Sequence, residues 1–275
     1  HRHYTVARPL QPDQPANRRS APEIKAGQTI IFLGDHTSPD EQGYVRVIGD
    51  VLARFHPRLQ LNLISAGSQT QTGAALQSRN LIDLLLSSRP DWLVLGIGLA
   101  DALREPGLAQ AQREYLAARE AAGVADETFG PEYRVDPERL GPADDVGRMP
   151  AIAPRRLETF LDSTGGAVTE LQAAGIGVIV LTTVLLGDDV RSPLNRVLKS
   201  YSKALRQLAS EKQIALVDVE RAFNDLFLRA GQYKQRVALA SVSGELTPQG
   251  QALMARTFLN EVGLLPYPGF RPPRT

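Results

Sequence analysis

A carboxylate and an imidazole stand side by side at Asp35-His36, behind the glycine that closes the apolar run Thr29-Ile30-Ile31-Phe32-Leu33-Gly34. A buried strand that ends this way offers the next side chains at its carboxyl edge, where a histidine can act as general acid, general base or metal ligand. Three further clusters carry reactive types: Ser65-Ala66-Gly67-Ser68, Gly98-Leu99-Ala100-Asp101 with Arg104 beyond it, and Val242-Ser243-Gly244-Glu245. Ser38 and Ser68, with Thr37 and Thr70, supply hydroxyls, which become nucleophiles only with a base in hydrogen-bond reach. Bases are scarce. His56 closes a helical segment just before Pro57, turned away from this edge, and His1 and His3 lie on a polar terminus. The plain reading of the four hydroxyls is turn and cap chemistry. Arg104 could meet an anion, and its plain reading is a solvated or ion-paired arginine. Trp92 reads as core rather than as a ligand platform.

Alternating elements must position these clusters. Apolar runs at 28–33, 61–64, 92–97, 177–182 and 214–217 read as strands, the third apolar enough to be buried on both faces. Segments 44–55, 73–88, 155–174, 194–211, 219–230 and 248–263 show helical spacing, with Thr72 placed to cap the second. Strands separated by helices predict βαβ units and a parallel sheet. Residues 103–154 break the rhythm, because connections in such units usually take about 2–6 residues. They hold a helical piece at 110–122 and then a Gly/Pro/Asp-rich stretch. An insertion after a parallel strand lies over the ligand-binding edge of the sheet, so it reads as a lid or a partner surface.

Composition narrows the function. Apolar residues make up 43 % of the 275, which supports a sizeable core. With 31 basic and 30 acidic residues the net charge is +1, which gives no electrostatic footprint for nucleic acid. No apolar run approaches the roughly 18 residues that span a bilayer. Cysteine is absent, excluding disulfides and thiolate metal sites. Pro9, Pro12, Pro15 and Pro22 make residues 1–27 an extended lead-in, and the Pro-rich residues 265–275 read as a tail. A start at His1, without an initiator methionine, is expected of a processed or trimmed chain. Loss of a signal or anchor segment would place the protein outside the cytoplasm.

The order of the blocks resembles the SGNH (GDSL-type) hydrolases. Gly34-Asp35-His36 is similar to that family's Gly-Asp-Ser, and Ser65-Ala66-Gly67 to its Asn-Ala-Gly. Gly98-Leu99-Ala100-Asp101 is similar to Gly-x-Asn-Asp, and Val242 through Gly250 to Asp-x-x-His-Leu-x-Pro-x-Gly. The resemblance spans about residues 28–264 outside the insertion. It implies a three-layer α/β/α sandwich of flavodoxin-like type around a five-stranded parallel sheet of order 2-1-3-4-5. It also implies a serine esterase or acylhydrolase chemistry that needs no cofactor.

Carried over position by position, the resemblance implies a degenerate site. His36 takes the nucleophile position, Glu245 the base, Val242 the carboxylate and Ala100 the asparagine donor, while Gly67 survives. Asp35 and Asp101 match the motifs without being reacting groups. His36 then has three readings: a relic position, a pair with Glu245, or a metal ligand with Glu245 and Asp35. The expected function is that of a pseudo-hydrolase acting by binding or within an assembly, with a protein partner reached through residues 103–154 or the tails. The alternatives are an ester hydrolase with non-standard residues and a metal-dependent variant using His36 and Glu245.

Overall fold

A computed structural model describes residues 22–34, 43–67, 72–121, 154–187, 189–232, 239–241 and 244–265. Five strands form its centre: β1 (Thr29–Gly34), β2 (Asn62–Ser65), β3 (Trp92–Gly96), β4 (Gly177–Leu181) and β5 (Ala215–Val217). They pair in parallel in the order β2-β1-β3-β4-β5, as the resemblance implies. The helices are α1 (Tyr44–Phe55), α2 (Arg79–Ser88), α3 (Leu99–Leu103), α4 (Leu108–Ala121), α5 (Leu157–Ala173), α6 (Pro193–Glu211), α7 (Val219–Gln232) and α8 (Pro248–Glu261). Helices α1 and α8 pack together, as do α7 and α8, while α2, α5 and α6 form a second layer joined by α3 and α4 through α6. No helix among the described residues is long and apolar enough to cross a membrane.

The core sits where the apolar runs meet these layers. Leu93, Val94 and Leu95 are wholly buried, because β3 lies mid-sheet with helices on both faces. Burying each such side chain stabilises by about 1.5–3 kcal/mol. Phe32 of β1 stacks edge-on to Tyr44 of α1 at 5.9 Å and tilts onto Phe258 of α8 at 5.3 Å. These contacts fix the two helices that flank the carboxyl end of β1.

Two segments depart from the periodicity. Residues 73–88 do not form one helix: a 3-10 turn, Ala74–Gln77, comes first, and Ser78 breaks to an extended ψ of 117° before α2 begins. The Thr72 hydroxyl caps the turn by accepting the Ala75 N–H at 3.2 Å. Helix α3 directly follows β3 and has no counterpart in the apolar pattern.

Trp92 and His56 lie far from the carboxyl edge. The Trp92 indole N–H donates to Gln28 Oε1 at 3.1 Å, at the amino end of β3. The His56 ring shares a hydrogen bond of 3.0 Å between Nε2 and the Leu264 carbonyl at the end of α1.

Candidate functional site

The sequence clusters converge on the carboxyl edge of the sheet. Strand β1 ends at Gly34, in register with Gly96 of β3. Beyond β2 the Ala66 N–H donates to the Phe32 carbonyl at 2.8 Å, which extends the pairing and brings half-buried Gly67 alongside the end of β1. After β3, Gly98 adopts φ +108°, a left-handed conformation that turns the chain into α3. A Cβ there would also stand 3.2 Å from Thr183 Cγ2, so both backbone and space favour glycine.

Ala100 and Asp101 follow on α3. Ala100 is buried at 4 % exposure, and its methyl carries no polar hydrogen. Asp101 Oδ2 accepts the Gly73 N–H at 2.9 Å, tying the segment beyond β2 to the end of β3. Burial raises the Asp101 pKa, while the Gly73 N–H and Arg104 act against that rise. Arg104 itself is exposed.

The last cluster forms a tight turn ahead of α8. Ala240 pairs antiparallel with Leu246. The Ser241 N–H donates to the Glu245 carbonyl at 2.8 Å, and the Glu245 N–H donates to Ser241 Oγ at 3.1 Å. Glu245 is exposed. The Thr247 hydroxyl caps α8 by accepting the Gly250 N–H at 3.2 Å, with Pro248 in the first turn. A Cβ on Gly250 would lie 2.0 Å from the Leu239 carbonyl oxygen, so only glycine lets α8 approach this turn. Gly187 beyond β4 donates to the Ala240 carbonyl at 3.0 Å.

Asp35, His36, Ser38, Ser68 and Val242 lie outside the described residues, and the expected contact between His36 and Glu245 falls there with them. The described hydroxyls at this edge have structural partners. Thr183 Oγ1 lies 2.7 Å from Ser202 Oγ and donates to the Leu198 carbonyl at 3.1 Å. Thr182 Oγ1 donates to Asp218 Oδ1 at 3.2 Å and accepts the Glu220 N–H at 2.8 Å. The sole histidine among the described residues is His56, whose Nε2 lies 3.0 Å from the Leu264 carbonyl. No group of three His, Asp or Glu among those residues could hold a metal ion.

Several polar knots near this edge escaped the sequence reading. Arg206 grips Asp218 through two bonds, of 2.9 and 2.6 Å. Asp189 is bonded by the Tyr115 hydroxyl and by the Arg191 N–H at 2.8 Å, with Arg119 at 3.7 Å. Glu105, 4 % exposed, accepts the N–H groups of Arg155 and Arg156 at 3.0 and 3.2 Å and the Tyr201 hydroxyl at 2.6 Å. The one local signal was a polar residue at the end of an apolar run, as at Thr182 and Asp218.

The GDSL-like lipase/acylhydrolase family profile matches residues 32–253. An acetylxylan esterase of Geobacillus stearothermophilus is 21 % identical over 255 residues, covering 88 % of this chain and 96 % of that protein. The crystal structure of a Geobacillus stearothermophilus acetylxylan esterase superposes with a TM-score of 0.63 at 20 % identity, over 90 % of this chain and 99 % of that one. An alpha/beta hydrolase enzyme from the metagenome of Lake Arreo superposes with a TM-score of 0.58 at 19 % identity, over 87 % and 97 %. The structural likenesses establish the fold.

Proposed function

The chain belongs to the GDSL-like lipase/acylhydrolase family, and we propose that it uses this esterase-like scaffold for binding rather than for ester hydrolysis. The observation that carries the reading is Ala100, buried at the turn into α3 where the family resemblance expects an amide donor. A methyl group cannot stabilise an oxyanion, and removing one such donor costs about 100- to 1,000-fold in rate. The same resemblance assigns His36, Val242 and Glu245 to the nucleophile, carboxylate and base positions. An attacking hydroxyl, its imidazole base and the acid that orients the base are then all missing. The scaffold supplies the crevice, and residues 103–154 and the terminal segments supply further surface for a ligand or a protein partner.

Hydrolysis of 4-nitrophenyl acetate tests the reading. The expected rate equals that of the His36→Ala and Glu245→Ala variants. Joint replacement by His36→Ser, Ala100→Asn, Val242→Asp and Glu245→His should create measurable turnover where no single replacement does. A second reading, an ester hydrolase with non-standard residues, draws on the similarity to an acetylxylan esterase along 96 % of that protein. Release of acetate from acetylated xylan by the unaltered chain, abolished by His36→Ala or Glu245→Ala, would establish it and end the binding reading.

A further inference from the structure

One concavity of the described residues reaches from Ser65 and Val45 near the carboxyl edge to His56 at the far end of α1. It is an open groove of about 780 Å³ between α1 and edge strand β2. Its apolar walls include Val45, Leu52, Leu59, Leu61 and Leu63, with Arg46 and Asp50 as its two charged groups.

Gly49 stands in the middle of α1 and lines this groove. Glycine inside a helix is less stable than alanine, so a packing reason is expected. The fold supplies none: a Cβ there would meet only Leu63 Cδ1, at an ordinary 3.7 Å. The missing side chain widens the groove instead.

The chain itself delivers an occupant. Leu264 is held at the groove's end by the hydrogen bond between its carbonyl and the His56 ring, and His56 lines the groove. Residues 266–275 continue from that point with Pro266, Tyr267, Pro268, Phe270, Arg271, Pro272, Pro273 and Arg274. Proline at this density favours a polyproline II path, which repeats every three residues. Such a path would place Tyr267 and Phe270 on one face, and Arg271 and Arg274 on the next. Ten residues on it reach about 31 Å, against about 18 Å for the twelve residues of α1. The tail is long enough to run the groove, with aromatic anchors for its aliphatic walls.

We propose that residues 266–275 dock in the groove between α1 and β2, Tyr267 and Phe270 seated on its aliphatic walls over Gly49. The docking is independent of whether the crevice hydrolyses esters. Three measurements test it: hydrogen exchange on the full chain and on a chain ending at Leu265, binding of a labelled 266–275 peptide to the shortened chain, and the Gly49→Leu variant. Shortening should speed exchange in α1 and β2 by at least about tenfold. The peptide should bind the shortened chain saturably and the full chain far more weakly. Gly49→Leu should abolish peptide binding without lowering Tm. Unchanged exchange on shortening, absence of saturable binding, or binding that survives Gly49→Leu would each overturn the proposal. Protection that depends on protein concentration, or that is lost on removing residues 1–21 instead, would assign the groove to a second copy or to the other terminus and overturn it equally.

Discussion

Two aspartates illustrate how environment, not residue type, sets the sign of an electrostatic effect. Burial raises the Asp101 pKa against the pull of the Gly73 N–H and Arg104. A raised carboxyl binds its proton more readily in the folded chain. Its contribution is therefore full below the unfolded pKa and is lost as pH rises through the folded value. Asp101→Asn keeps an oxygen for the Gly73 N–H and removes the titration. Urea midpoints of this variant should fall less than those of the parent between acidic and neutral pH, and at neutral pH it should be at least as stable. Asp189 behaves oppositely. Burial pushes its pKa up, but the Tyr115 hydroxyl, the Arg191 N–H and the charges of Arg191 and Arg119 outweigh that and lower it. Its contribution is present above the unfolded pKa and is lost as pH falls through the folded value. Asp189→Asn should cost about 1–3 kcal/mol at neutral pH and progressively less in acid.

At the scale of elements, Glu105 holds together the two ends of the long excursion after β3. One carboxylate takes the N–H groups of Arg155 and Arg156, just before α5, and the Tyr201 hydroxyl of α6. Glu105→Ala leaves the buried Tyr201 hydroxyl without its acceptor and releases the N–H groups of Arg155 and Arg156, and should speed proteolytic cleavage within residues 104–156 well before it melts the sheet. Tyr201→Phe removes a single bond to a charged group and should cost about 1.5–3 kcal/mol in denaturant unfolding. Within this excursion α4 packs on α6, where Gln112 Oε1 accepts the Leu194 N–H at 3.1 Å. Periodicity predicted a helix over 110–122 but gave no hint of this anchoring. Gly250 is the corresponding pin for α8. Gly250→Ala places a methyl against the Leu239 carbonyl and should cost about 1–3 kcal/mol or more through overpacking.

Across the whole molecule, the sheet and its two helical layers share one continuous core that runs from Phe32 through Leu95 to Leu205. Leu95→Ala, at the centre of β3, should destabilise by about 2–5 kcal/mol. The loss should appear in thermal unfolding as one shifted transition rather than as release of a single layer.

The sequence by itself determined the α/β class, the five strands and the family. Burial on two faces leaves an uninterrupted apolar run, helices leave their 3.6-residue period, and the turn glycines at Gly34, Gly67, Gly98 and Gly250 must stand at the ends of particular elements. Tertiary structure alone decided the break at Ser78, the anchoring of α4, the Glu105 and Asp189 knots and the groove beside Gly49. Each depends on groups far apart along the chain; Glu105 and Tyr201 are separated by 96 positions. A periodic signal records which face of its own element a residue occupies. It carries no record of which distant donor, acceptor or cavity that face will meet.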